Sequence, residues 1–185
     1  MQIRLFRRLI LIAPASILLV LGSCGPEKGK FAPACPVPGL LKPLTDITRF
    51  RGPSRDFRDL IVRARIVDIV GKCQPGDDPR TVVTTVQVVV DATRGPAMEG
   101  DAIGLPVFVA ITEGDAIGDK ALFSMPVEFK HNVDTARVAS KEVRMEIPVT
   151  PQKSAAAYNL VAGFQLTPDE VAEWRHNNPP LTGPH

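Results

Sequence analysis

Positions 81–91 read TVVTTVQVVVD, and this stretch decides the fold class. All but Gln87 and Asp91 are β-branched, which suits a pleated strand better than a helix. Val82, Val86, Val88 and Val90 alternate with Val83, Thr85, Gln87 and Val89. A period of two sends successive side chains to opposite faces of a sheet. On a sheet edge so long a β-branched run would template aggregation, so a central strand is expected.

The same period continues on both sides. From Leu60, the apolar Val62, Ala64 and Ile66 alternate with Arg63 and Arg65, and the turn QPGDDP at 74–79 separates this run from the next. Pro and Gly supply the fixed and positive φ values that such a turn needs. After the break Arg94-Gly95-Pro96, Leu105, Val107, Val109 and Ile111 are in phase, although Pro106 argues that their strand lies at an edge. A turn over 114–119 leads to Ala121, Phe123, Met125, Val127 and Phe129, the strongest core candidates. Val143, Met145 and Ile147 mark a strand over 136–147, and Tyr158, Leu160, Ala162 and Phe164 another over 157–165. With a seventh run at 47–50, about six or seven short strands predict an all-β, antiparallel immunoglobulin- or fibronectin-like β-sandwich. No Trp lies between two strand cysteines, so an antibody-type domain is not expected. Thr167-Pro168-Asp169-Glu170 reads as a capping box that opens a short helix to about Arg175, stopped by Asn178-Pro179-Pro180.

The amino terminus has a different grammar. Arg4, Arg7 and Arg8 precede 13 uncharged residues, positions 9–21, interrupted by Pro14. The order basic then apolar is that of a secretory signal, and the run is shorter than the roughly 20 residues of a membrane-spanning helix. It ends in Leu21-Gly22-Ser23-Cys24. Those four residues resemble the lipobox of bacterial lipoproteins. The resemblance implies cleavage before Cys24, a diacylglycerol on its thiol and an acylated new amino terminus; anchoring by more than one chain is stable. Gly25, in place of Asp, resembles lipoproteins sent on to the outer membrane. Farther on, Cys35-Pro36, Thr48-Arg49-Phe50 and the run from Phe164 to Pro168 resemble small uncharacterised envelope lipoproteins, from which no activity carries over.

These readings divide the chain into a signal peptide at 1–23, a lipidated Cys24 with a Pro/Gly-rich tether to 43, a sandwich at 44–176 and a disordered tail at 177–185. Removing the signal takes three of 22 basic residues and no acid, leaving 19 against 20. That balance excludes a nucleic-acid binder and a polybasic membrane binder. Few aromatic residues offer stacking surface for sugars. With Cys24 set aside, Cys35 and Cys73 remain, a pair expected to bond in an oxidising periplasm. Two buried free thiols are the alternative. A metal site is not expected, since no His or further Cys stands near either one.

Residues that could carry chemistry are sparse. His131, His176 and His185 are the only histidines and do not cluster; no nucleophile elbow, zinc helix or phosphate loop occurs. Asp77, Asp78, Asp115 and Asp119 lack the spacing of a calcium loop and suit turns. The uneven charge lies in Arg49, Arg51, Arg55, Arg58, Arg63 and Arg65, with Arg63 and Arg65 as a candidate interaction surface for anionic headgroups or an acidic partner. A solvated strand face is the ordinary account of such a row. The expectation is a lipid-anchored, non-catalytic interaction module on the periplasmic face of the outer membrane, with no cofactor, the membrane and an envelope protein as partners, and no nucleic acid. A small-molecule or metal-binding lipoprotein is the alternative.

Overall fold

A computed structural model describes residues 34–177. Cys24, the signal and most of the expected tether and tail lie outside the described residues. The elements are β1 (Val37–Leu40), β2 (Asp46–Phe50), β3 (Leu60–Pro75), β4 (Thr81–Arg94), β5 (Ala102–Glu113), β6 (Ala116–Glu128), β7 (Thr135–Ala139), β8 (Val143–Pro148), β9 (Asn159–Phe164) and α1 (Pro168–Asn177). One sheet has the order β1-β9-β5-β6; the other runs β2-β3-β4, with β7 and β8 sharing the far flank of β4. The fold is an all-β sandwich with a short C-terminal helix. Its order differs from the ABED and CFG sheets of an immunoglobulin constant-type domain, because β2, β3 and β4 form a meander within one sheet.

Among the described residues nine strands stand where six or seven are expected, for two reasons. The predicted strand over 136–147 is divided at residues 140–142, where three residues oppose Gln87 and Val88. That is the count of a bulge. Ser140 holds it in place: its N–H donates to the Val88 carbonyl (2.9 Å), and its Oγ accepts from the Val88 N–H (3.0 Å). The other addition is β1, which falls within the segment read as tether. It pairs with β9 in parallel, so the sandwich is not wholly antiparallel. Pro38 and Gly39 erase the hydrophobic period there, and the strand is held by its backbone ladder to β9, by Leu40 against the core and by the nearby Cys35.

β4 is central, as its sequence requires. It pairs with β3 from Val82 to Arg94 on one flank, and with β8 and β7 on the other. Its inward residues Val86, Val88 and Val90 are fully buried against Leu105, Val107, Leu160 and Phe164 of the facing sheet. β3 carries one extra residue, Val67, between Ile66 and Asp68. Val62, Ala64 and Ile66 face the core at even positions before it; Ile69, Gly71 and Cys73 face the same way at odd positions after it. A one-residue change of phase moves every later side chain to the other face. Val67 therefore turns Cys73 inward, where it forms a disulfide with Cys35 across a Cα separation of 6.3 Å. The bridge ties the start of β1 in one sheet to the end of β3 in the other, closing a loop worth about 4 kcal/mol in the chain-entropy account.

Pro106 leads the sequence to place β5 at an edge; the structure puts β5 between β9 and β6. Gln165 donates its N–H to the Pro106 carbonyl (2.9 Å). In an antiparallel ladder both backbone groups of a residue face the same neighbour, so the side lacking an N–H faces β9 just past its end, and β6 loses no donor. The turn expected at 114–119 is only Gly114, at φ +55°, and Asp115. Of the five core candidates in and just after β6, Met125, Val127 and Phe129 are buried, whereas Ala121 and Phe123, on the same face, are half-buried along an opening of the sandwich.

Thr84 is the exception in the core. It is fully buried and its Oγ has no hydrogen-bond partner among the described residues. An unpaired buried hydroxyl costs about 1–3 kcal/mol. Thr84→Val, nearly the same shape, is expected to raise the unfolding free energy by about 1 kcal/mol, measured by urea denaturation; a loss of stability would show that the hydroxyl has a partner.

Candidate functional site

The arginine row does not form one surface. Arg49 pairs with Glu170 (3.4 Å), Arg51 with Glu99 (3.4 Å), Arg55 with Glu173 (2.5 Å), Arg58 with Asp56 (3.3 Å) and Arg65 with Asp46 (2.5 Å). Arg65 belongs to a row of alternating charge across the outer face, Asp46, Arg65, Asp91 and Arg137, set side by side by the register of β2, β3, β4 and β7. Arg137 binds both carboxylate oxygens of Asp91, and these hydrogen bonds hold the Asp91 carboxyl below its ordinary range. Arg63 lies in the next row, between Thr48 and Thr93. The face is solvated and largely neutralised by its own acids, and exposed pairs of this kind add little stability.

Other singled-out residues are engaged locally. Asp78 accepts the Arg80 N–H in the β3–β4 turn (2.8 Å), and Asp119 accepts the Lys120 N–H in β6 (2.7 Å). His131 is exposed in the turn between β6 and β7. Among the described residues no three His, Cys, Asp or Glu side chains come together in a way that could hold a metal ion.

What the fold does present is backbone. A two-sheet sandwich has four edges, and an edge offers unpaired N–H and C=O groups. β1 is four residues long and contains Pro38. The β7–β8 edge is interrupted by its bulge and carries Arg137, Arg144, Glu146 and Pro148. These are the usual protections of an edge. β2 and β6 are more open, and each borders a groove.

The larger groove, about 790 Å³, runs along consecutive β2 residues and is walled by α1. Ile66 donates to the Thr45 carbonyl (2.8 Å) and Arg51 to that of Asp59 (2.7 Å). Odd positions of β2 thus face β3, and the N–H and C=O of Thr48 face outward. Phe50, Ile61, Leu166 and Trp174 give the groove an apolar lining. The reciprocal capping box forms as its sequence predicts: Glu170 N–H donates to Thr167 Oγ (3.2 Å) and Thr167 N–H to the Glu170 carboxylate (2.7 Å). The helix is then held over the groove by Arg49–Glu170 and by Arg55, which binds both oxygens of Glu173 (3.1 and 2.5 Å) and lies over the Phe50 ring.

The second groove, about 620 Å³, lies on the opposite side of the sandwich, between consecutive residues of β6 and the bulge. Leu122, 60% exposed, stands beside it. Sequence reasoning missed both grooves. An out-of-phase Leu122 in β6 is the one local signal; nothing local announces that Glu170 and Glu173 meet Arg49 and Arg55. No protein-family model matches this chain, and neither a curated protein nor a solved structure matches it.

The docking of α1 is expected to depend on pH. The hydrogen bonds from Arg55 hold the Glu173 carboxyl below the usual glutamate range. Its contribution is intact above that range and is lost as pH falls through the lowered value. Trp174, the only tryptophan, reports on it. Its emission should hold constant from neutral pH down to the glutamate range and shift red below it, and Glu173→Gln should show the red shift at neutral pH. Identical emission from the variant and the parent would contradict this account.

Proposed function

We propose that this chain is a lipid-anchored, non-catalytic interaction module of the bacterial cell envelope, and that it takes an extended segment of an envelope protein along the β2 edge. The observation that carries the reading is the outward-facing backbone of Thr48 beside a groove walled by a helix. An added strand gains main-chain hydrogen bonds from such an edge and selectivity from pockets for alternate side chains. Ile61, Leu166 and Trp174 offer apolar contact, and Arg49, Arg55, Glu170 and Glu173 offer charge of both signs.

The anchor is read from Leu21-Gly22-Ser23-Cys24, which resembles a lipobox. The Cys35–Cys73 disulfide suits an oxidising compartment. It also holds Cys35 at one end of the sandwich. Cys35, the β3–β4 turn and the β5–β6 turn share one end of the sandwich, while the loops after β2, β4 and β6 share the other. About ten residues between the anchor and Cys35 reach roughly 30 Å if extended. A tether of that reach leaves both open edges accessible.

Two experiments test the reading. Cells fed a clickable fatty acid should label the chain, and Cys24→Ala should abolish the label; an unlabelled parent chain removes the anchor. For the docking edge, a photo-crosslinking residue at Thr48 should trap an envelope protein. Residues flanking the β2–α1 groove should do the same, and Thr48→Pro should weaken that capture by about tenfold, the loss of roughly 1.4 kcal/mol. Proline there removes a donor that faces the groove and spares the ladder to β3. Capture no greater than from a label at Asp77, in the opposite turn, would overturn the docking reading.

A further inference from the structure

The open edge of β6 has a pattern of its own. Phe129 donates to the Asp101 carbonyl (2.8 Å), in line with the β5–β6 register. Odd positions of β6 therefore turn their backbone groups toward β5, and even positions turn theirs outward. The outward set is Lys120, Leu122, Ser124, Pro126 and Glu128. Two of these are closed as donors: Pro126 has no N–H, and the Lys120 N–H is held by Asp119 Oδ1 (2.7 Å). Leu122, Ser124 and Glu128 keep open N–H groups. Among the described residues this is the longest uncovered edge of the sandwich, and it carries an exposed Leu122 where charge usually protects.

We propose that β6 pairs antiparallel with β6 of a second copy of this chain, about a two-fold axis at Ser124. Such an axis sets Ser124 opposite Ser124, Leu122 opposite Pro126, and Lys120 opposite Glu128. Every open N–H then meets a carbonyl: Ser124 to Ser124, Leu122 to Pro126 and Glu128 to Lys120, each formed twice by symmetry. The two closed donors face carbonyls that need no partner from them. Charge selects the register, because Lys120 and Glu128 lie equally far from Ser124 with opposite sign, and opposite charges directly across a ladder attract. Moving the axis to Pro126 would set two prolines face to face and leave the centre without a bond. Leu122 covers Pro126 of the second copy on the outer face, and Phe123 meets Met125 beside the groove. In the single chain Lys120 lies over the Phe108 ring and donates to Gln165 (2.6 Å). Its flexible stem lets it turn toward the partner strand. The pairing joins two sheets into one of eight strands and leaves the β2–α1 groove of each copy free.

The test is a charge swap on the full chain, followed by sedimentation in density-matched detergent. The parent is expected to sediment as a dimer. Lys120→Glu and Glu128→Lys should each weaken it by about tenfold, since each turns two attractive contacts into repulsive ones. The double variant should recover the dimer, and an equimolar mixture of the two single variants should form a mixed dimer. A monomeric parent would overturn the proposal, as would a dimer indifferent to the swap, which would place the contact elsewhere. Circular dichroism of each variant confirms that the sandwich is intact. Photo-crosslinking from Thr48, on the other side of the molecule, is unaffected by either outcome.

Discussion

Hydrogen bonding along both flanks of β4 is the constraint from which the remaining elements take their places. Fourteen residues, most of them β-branched, lie between β3 on one side and β8 and β7 on the other. So long a strand twists strongly, and neighbours of equal length would lose register beside it. Each neighbour holds one extra residue near the middle of β4: Val67 in β3 opposite Val89 and Val90, and the bulge at 140–142 opposite Gln87 and Val88. Bulges increase local twist and release the ladder for a single step. Their consequences reach the rest of the molecule. Val67 turns Cys73 inward to meet Cys35, which brings β1 against β9, and the second bulge opens the groove beside β6.

Surface charge plays a smaller part than its abundance suggests. The Asp46, Arg65, Asp91 and Arg137 row follows the register of the sheet and does not create it. Only where the pairs hold an element with little packing of its own do they matter more. Helix α1 is such an element, fastened through Arg49–Glu170 and Arg55–Glu173 beside an open strand edge. There the exposed pairs position the wall of a groove.

The sheet content was legible because alternation survives in single strands: Val62 to Ile66, Leu105 to Ile111 and Leu160 to Phe164 all face inward as their period requires. The capping box at Thr167 was legible for the same reason, being a local pattern with a local cause. What escaped depended on partners distant in sequence. β1 has no period because Pro38 and Gly39 replace side-chain patterning with a backbone ladder to β9. The division of β7 from β8 depends on the match to β4, and the inner position of β5 depends on which way Pro106 turns its missing donor. The candidate edges were the least legible part. Whether Thr48 or Ser124 has a backbone partner is decided by sheet order, which no short pattern encodes.

Amide hydrogen exchange resolved residue by residue tests the account most directly. If β4 is paired on both flanks, its amides from Val83 to Ala92 exchange slowly at even and odd positions alike. In β2, by contrast, Ile47 and Arg49 are protected while Thr48 exchanges fast. Rapid exchange at the even positions of β4 would mean that β7 and β8 do not pair with it, and the two-sided arrangement on which the sandwich is built would be wrong.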